Sequence, residues 1–174
     1  MELPFLSDED FFENCPPQTV CSVCGSNEIR PFMLVDDKYY WTCNICKARI
    51  LSCKHWLSKE EEFKYYQTHE NISSDPAYQK FAAQLALPIL DKLVPNSSGL
   101  DFGCGPDSAL SAILRQHGHN MTVYDQFFFP DKNSLKKTYD FIVCSEAAEH
   151  FHQPSKDFKK FNSLLNENGW IGIM

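Results

Sequence analysis

No apolar stretch in these 174 residues approaches the roughly 20 needed to span a bilayer, so no membrane-spanning segment is expected. Residues 1–12 are acidic and lack the apolar core of a secretory signal, which makes the cytoplasm the expected compartment. In a reducing compartment the eight cysteines are expected as metal ligands or free thiols rather than disulfides. Positive charge is also scarce: 16 Lys and Arg stand against 23 Asp and Glu, for a net charge of −7, and no segment is strongly basic. That balance argues against a general nucleic-acid binder and leaves open only an RNA held by a local basic patch. What is present is core-forming material, 43% hydrophobic and 14% aromatic, enough for one ordinary domain or for a small module plus a compact one.

The cysteines are concentrated early. Cys21-Ser-Val-Cys24 and Cys43-Asn-Ile-Cys46 are two C-x-x-C pairs with eighteen residues between them, a spacing within the zinc-ribbon window. Each pair points two thiolates at one ion, and a hairpin brings the pairs together. Residues 30–35 and 39–43 read as its strands, with Asp36-Asp37 turning between them and Gly25 suiting a tight knuckle. Four cysteine ligands close the site, so the expected role of Zn2+ is structural, and the metal would supply much of the stability of so small a module. Cys15, Cys53 and His55 lie nearby and are expected as packed or free groups. The module is assigned to residues 1–56.

Residues 57–97 read as connecting helices. Ser58-Lys-Glu-Glu61 is a capping-box pattern with helix formers following to about Gln67. Asp75-Pro76 offers an N-cap and a proline at the first helical position, and Tyr78, Phe81, Ala82, Leu85, Ile89 and Leu93 recur at helical spacing as a core face. Pro88 is expected to kink or split this helix. Tyr65, Tyr66, His69 and Asn71 are either a linker with aromatic anchors or a lid over a ligand.

Residues 98–174 have a different pattern. An apolar run at 98–102 reads as a buried strand, Gly103-Cys-Gly105 interrupts it, and a helical pattern starts at Ala109. Strand, glycine turn and helix let a backbone approach a nucleotide closely. Gly118 suits a helix C-terminus, and residues 121–124 form a second short strand ending at Asp125, twenty residues beyond Gly105. An acidic residue at that offset is placed to accept hydrogen bonds from ribose hydroxyls. Phe127, Phe128 and Phe129 either wall a base or enter the core. Residues 139–145 form a continuous apolar strand followed by Glu146, Glu149 and His150; residues 154–165 form a helix, and 170–174 begin another strand.

Leu100-Asp-Phe-Gly-Cys-Gly-Pro106, Asp125, Tyr139-Asp-Phe-Ile-Val-Cys-Ser-Glu-Ala-Ala-Glu-His150 and Asn168-Gly-Trp-Ile-Gly-Ile-Met174 together resemble class I S-adenosylmethionine-dependent methyltransferases, in particular small bacterial members with an N-terminal zinc ribbon. The resemblance implies an α/β, Rossmann-like doubly wound sheet over residues 98–174. Asp101, Gly103 and Gly105 would line the methionine part of the cofactor, Asp125 would hold its ribose, and Ser145 and Glu146 would border the meeting point of cofactor and acceptor. The acceptor is unspecified: a small molecule, a protein or an RNA. Glu146-x-x-Glu149-His150 also resembles the metal-binding segment of some O-methyltransferases, which implies a second divalent ion orienting the acceptor.

Two departures bear on this. Asp107 stands where such families often carry a third glycine; it suits a cap on the following helix, and its charge opposes a nearby cofactor carboxylate. Members of the family also continue past this point with a helix and two strands, so the sheet is expected to be incomplete at its C-terminal side, with an open edge available for a homo-oligomer and with catalysis weak unless that edge is covered. The alternative reading is a non-catalytic cofactor-binding or zinc-ribbon interaction protein, or an inactive fragment.

Overall fold

A computed structural model describes residues 8–68 and 72–174. The chain divides into two compact units, one formed by the chain up to Glu62 with His152–Ser155, the other by Phe63–Phe151 with Lys156–Met174.

The first unit has a short helix α1 (Asp8–Asn14) and an antiparallel sheet of β1 (Ile29–Val35), β2 (Lys38–Cys43) and β3 (Arg49–Leu51), in that order. The expected hairpin is present. Asp36 and Asp37 both adopt positive φ, 48° and 60°, the pair of left-handed residues that matches a two-residue turn to the twist of its strands. Neither α1 nor β3 was expected. Both exist through burial rather than local pattern: Ile50 lies opposite Trp41 in the β2–β3 register, and Phe11 of α1 sits edge-on to Tyr39 and Trp41 at 5.0 and 5.1 Å.

In the second unit a four-stranded sheet runs in the order β5-β4-β6-β7, with β4 (Ser98–Phe102), β5 (Asn120–Tyr124), β6 (Tyr139–Cys144) and β7 (Leu165–Ile173) all parallel. The helices are α2 (Lys59–Gln67), whose Phe63 and Tyr66 fall in this unit, α3 (Pro76–Leu90), α4 (Ala109–Gln116) and α5 (Pro154–Leu164). The sheet is wound on both faces. Phe141 and Val143 of β6 point into a core with Leu85, Ala86, Leu110 and Leu114 of α3 and α4. Ile142 and Cys144 point the other way, into a core with Leu100, Phe102 and Phe161. This is the doubly wound α/β architecture that the sequence implies.

Caps follow the sequence closely. Ser58 and Glu61 form a reciprocal capping box before α2, and the Asp75 side chain accepts from the N–H groups of Ala77 and Tyr78 at the start of α3. Gly118, at φ 86°, follows the C-cap His117 of α4. Pro88 does not split α3, which runs on to Leu90. Only two residues follow the proline in the helix, so its missing N–H falls within the last turn. No strand forms between β5 and β6; a short 3-10 helix, Lys132–Lys136, occupies that connection. β7 starts earlier than the expected strand at 170–174 and takes in residues 166–169, where pairing passes from Tyr139↔Leu165 to Phe141↔Trp170 around Asn168 at φ 60°.

Among the described residues β7 has a strand neighbour on one side only, and Trp170, Ile171 and Ile173 are exposed along it. No helix among the described residues is long and apolar enough to cross a membrane.

Candidate functional site

The strand order places a topological switch point at β4. The chain leaves β4 for β5 on one side, then returns to β6 on the other. Loops leaving the carboxyl ends of strands diverge at such a point and open a crevice. Gly103, just after β4, is packed against Ala147, just after β6: a Cβ on Gly103 would lie 2.5 Å from that of Ala147. Gly103 and Gly105 also hold φ of 76° and 65°, so the turn needs glycine for its backbone as well as for its space. The N–H groups of Gly103 and Cys104 both donate to the Tyr124 carbonyl, at 2.8 and 3.3 Å, which lays the turn across the end of β5.

Asp125 closes this arrangement. One of its carboxylate oxygens accepts from the Gly105 N–H at 3.1 Å, the other from the N–H groups of Phe127 and Phe128 at 2.8 and 3.1 Å. The acid twenty residues along therefore reaches back to the glycine turn. It is buried and held in one orientation, with lone pairs left for a ligand's hydroxyls.

Asp101 points to the α4 side of β4, and its Oδ2 accepts from the hydroxyls of Ser108 at 2.5 Å and Ser111 at 2.7 Å. Burial pushes its carboxyl above the ordinary value, against the pull of those two hydroxyls. Ser108 also caps α4 by accepting from Ser111 N–H, so the cap expected of Asp107 belongs to its neighbour. Asp107 instead accepts from Ser73 N–H at 2.7 Å and ties the segment before α3 to the glycine turn. Burial raises the Cys104 thiol, and it pushes the Cys144 thiol up to about 12, so both remain neutral at physiological pH.

Beyond β6, Ser145 is half-buried and Glu146 exposed, with Glu146 at φ 51° and its N–H on the Met174 carbonyl. A non-glycine residue in the left-handed region at a strand's carboxyl tip is a strained turn. Glu149 and His150 are 3.9 Å apart and about half exposed. They do not gather with Glu146: among the described residues, the only cluster of three or more potential ligands is that of the four cysteines. The expected second-metal site is thus not formed by these side chains. Phe127 stacks on Phe63 at 5.4 Å, and Tyr66 meets Phe127 at 5.9 Å and His150 edge-on at 5.7 Å. This aromatic wall joins α2 to the loops after β5 and β6. Tyr65 stays exposed, and His69 and Asn71 lie outside the described residues. Tyr66 and Phe127 are among the expected aromatic anchors and wall residues, whereas Phe63 carries no local sequence signal, because its contact with Phe127 depends on how the helix docks.

In the first unit the four cysteine sulfurs lie within 4.8 Å of one another. Their two knuckles repeat one backbone scheme. Cys21 N–H donates to Ser26 O and Gly25 N–H to Cys21 O; Cys43 N–H donates to Ala48 O and Lys47 N–H to Cys43 O. Gly25 and Lys47 hold matching positive φ, 77° and 63°. The closest sulfur pairs, Cys21–Cys46 and Cys24–Cys43, are 3.6 Å apart. The Cys46 N–H, aimed at the Cys43 sulfur, leads in bringing that thiol down to about 7. Cys46, although the Ala48 N–H favours its thiolate, is pushed up to about 12 by desolvation and the neighbouring sulfurs. One thiolate forms readily and opposes the next, a conflict that a divalent cation relieves. Cys53 and His55 take no part; His55 accepts from Tyr39 N–H at 3.1 Å, and the Cys15 thiol bonds Ser52.

The family profile described as "Methyltransferase domain" matches residues 75–174, more than half of the chain. The chain belongs to this methyltransferase family. No curated protein matches it in a sequence search. Among solved structures, the methyltransferase chain is similar to the plantazolicin methyltransferase BpumL in complex with a monoazolic desmethylPZN analog and SAH, at 21% identity and TM-score 0.38, covering 66% of this chain and 52% of that one. It is also similar to a SAM-dependent methyltransferase from Thermotoga maritima described as a possible histamine N-methyltransferase, at 13% identity and TM-score 0.32, covering 66% and 56%. The chain therefore spans little more than half the length of these two neighbours.

Proposed function

We propose that the chain binds S-adenosylmethionine across the carboxyl ends of β4 and β5 and transfers its methyl group to an acceptor at the loop after β6. The observation that carries this reading is the Asp125 carboxylate bonded back to Gly105 N–H, which fuses the glycine turn and the acidic strand end into one rigid site. The residues fit the cofactor. Asp125 is buried and braced for the ribose hydroxyls, Gly103 and Gly105 give the close backbone approach, and Asp101 keeps one oxygen free of the serine hydroxyls on the amino-acid side. When bound, the cofactor supplies an activated methyl group on a sulfonium. The chain then has to orient the acceptor and exclude water. Ser145, Glu146, Glu149 and His150 border the acceptor side, and the wall of Phe63, Tyr66 and Phe127 screens it.

The four cysteines fit Zn2+. Ligands about 2.3 Å from a tetrahedral ion lie about 3.8 Å from one another, close to the 3.6 Å spacings here. With all four positions taken by cysteine, Cys21, Cys24, Cys43 and Cys46 would hold the ion in a structural role. The metal-assisted O-methyltransferase reading has no comparable support, since Glu146, Glu149 and His150 do not converge.

Calorimetry with S-adenosylhomocysteine tests the cofactor reading. Saturable one-to-one binding that Asp125→Ala weakens at least tenfold is expected, and a folded protein that binds nothing would overturn it. Binding without methyl transfer to any acceptor would favour a non-catalytic role.

A further inference from the structure

Tyr78 repeats in phase with the core residues of α3, and its ring does pack against the cluster containing Ala82, Ala109 and Leu110. Its position in the helix gives it a second role. The start of α3 lies beside the glycine turn, because Asp107, two residues beyond Gly105, accepts from the N–H of Ser73, three residues before the helix. Helical side chains lean toward the helix N-terminus and cover the turn before their own Cα. In the first turn of α3 that direction leads toward the glycine turn. The geometry is fixed from two sides: Asp75 holds the N–H of Tyr78, and Asp107 holds the N–H of Ser73 at 2.7 Å. The Tyr78 hydroxyl has no hydrogen-bond partner among the described residues.

The charges around this hydroxyl define what it faces. Burial, and after it the charges of Asp101, Asp107 and Cys104, push the Tyr78 phenol above its ordinary value, so it stays an O–H donor through the physiological range. Asp101, Asp107 and Asp125 make this end of the site acidic, suited to an ammonium group and hostile to a carboxylate. A ligand carrying an amino acid brings both. The N–H of Gly105 is already directed to Asp125, and those of Gly103 and Cys104 to Tyr124, so the turn has little to offer the carboxylate.

We propose that Tyr78 is a positioning residue of the cofactor site, its hydroxyl donating to the carboxylate of the cofactor's amino-acid moiety while Asp101 accepts from the ammonium group. This rests on the cofactor reading above, and the test separates the two. Calorimetry is run on wild type and Tyr78→Phe with two probes, S-adenosylhomocysteine and 5′-methylthioadenosine; the second keeps the adenosine and thioether but lacks the amino acid. The variant removes one oxygen and leaves the ring in its core. The expected result is about a tenfold loss of S-adenosylhomocysteine affinity, the scale of one hydrogen bond to a charged group, with methylthioadenosine binding unchanged. Equal losses for both probes would mark Tyr78 as merely structural and overturn the proposal, as would unchanged S-adenosylhomocysteine binding. Wild type binding neither probe would overturn the cofactor reading itself.

Discussion

The cysteine unit and the sheet unit are stabilised by different means. In the first, the buried hydrophobic cluster is Phe11, Cys15, Cys21, Trp41, Cys43 and Ile50, and two of those six residues belong to the sulfur cluster itself. Remove the sulfurs from the count and three large side chains remain to hold a hairpin, a three-residue strand and a seven-residue helix. The second unit has two independent clusters, one on each face of the sheet, and its middle strands are almost wholly buried. Apolar burial scales with size, so the larger unit closes by packing, whereas the smaller one needs cross-links of another kind. The candidate sites are placed differently too: two of the four cysteines belong to the buried cluster of the first unit and two are exposed, whereas the candidate site of the second lies at the rim of its sheet.

The comparison breaks most sharply with metal removal. Structural zinc contributes apparent folding energies of about 10–16 kcal/mol in small modules, so, with Zn2+ held by the four cysteines as proposed above, chelation, or Cys43→Ser, is expected to collapse the amide signals of residues 29–51 in NMR while those of β4–β7 persist. Loss of both sets together would show that the units are not independent. The sheet unit has its own weak point in Phe161, which is fully buried and edge-on to Phe102 at 4.9 Å. Phe161→Ala is expected to cost about 3–5 kcal/mol in denaturant unfolding and to leave zinc stoichiometry unchanged. Gly103→Ala should be milder for folding and severe for function. The added methyl meets Ala147 and demands a left-handed alanine, so S-adenosylhomocysteine affinity is expected to fall more than tenfold, at a stability cost of about 1–2 kcal/mol.

The smallest expected effect is electrostatic. Asp140 accepts from Ser98 N–H and hydroxyl and from Asn166, and the Ser98 N–H leads in holding its carboxyl below the ordinary range. A depressed carboxyl means that the folded chain binds its proton less readily than the unfolded one. The stabilisation is present above the unfolded value and is lost as pH falls through the folded one. Asp140→Asn is therefore expected to be about 1 kcal/mol less stable than wild type at pH 7, with the gap closing below about pH 4. A gap that stays constant into acid would show that the hydrogen bonds matter and the charge does not.

The same contrast explains what could be read from the sequence. The cysteine pairs, the Asp36-Asp37 turn, the Ser58–Glu61 box, the limits of β4 and the offset of Asp125 were legible because each is written in neighbouring or regularly spaced residues. β3 and α1 were not, because their only signature is the burial of Ile50 and Phe11 beside Trp41, which sequence does not order in space. Asp107 and Ser108 were equally plausible caps by residue type; which one caps depends on backbone direction, and Ser73 claims the aspartate. Pro88 would break the middle of a helix, but its effect is small so close to the end of α3. Glu146, Glu149 and His150 have ligand chemistry in one turn of chain, but among the described residues they do not gather into a metal-holding group.

The packing of Gly103 against Ala147 has a consequence for folding. Forty-four positions separate these residues, and between them lie α4, β5 and the whole of β6. Contacts of that span form late, after the local helices and the β4–β5 pair. The crevice therefore does not exist in any chain whose β6 has not docked beside β4. A ligand for it selects completed sheets from partly assembled ones, and its binding during refolding would time the arrival of β6 rather than the collapse of the chain.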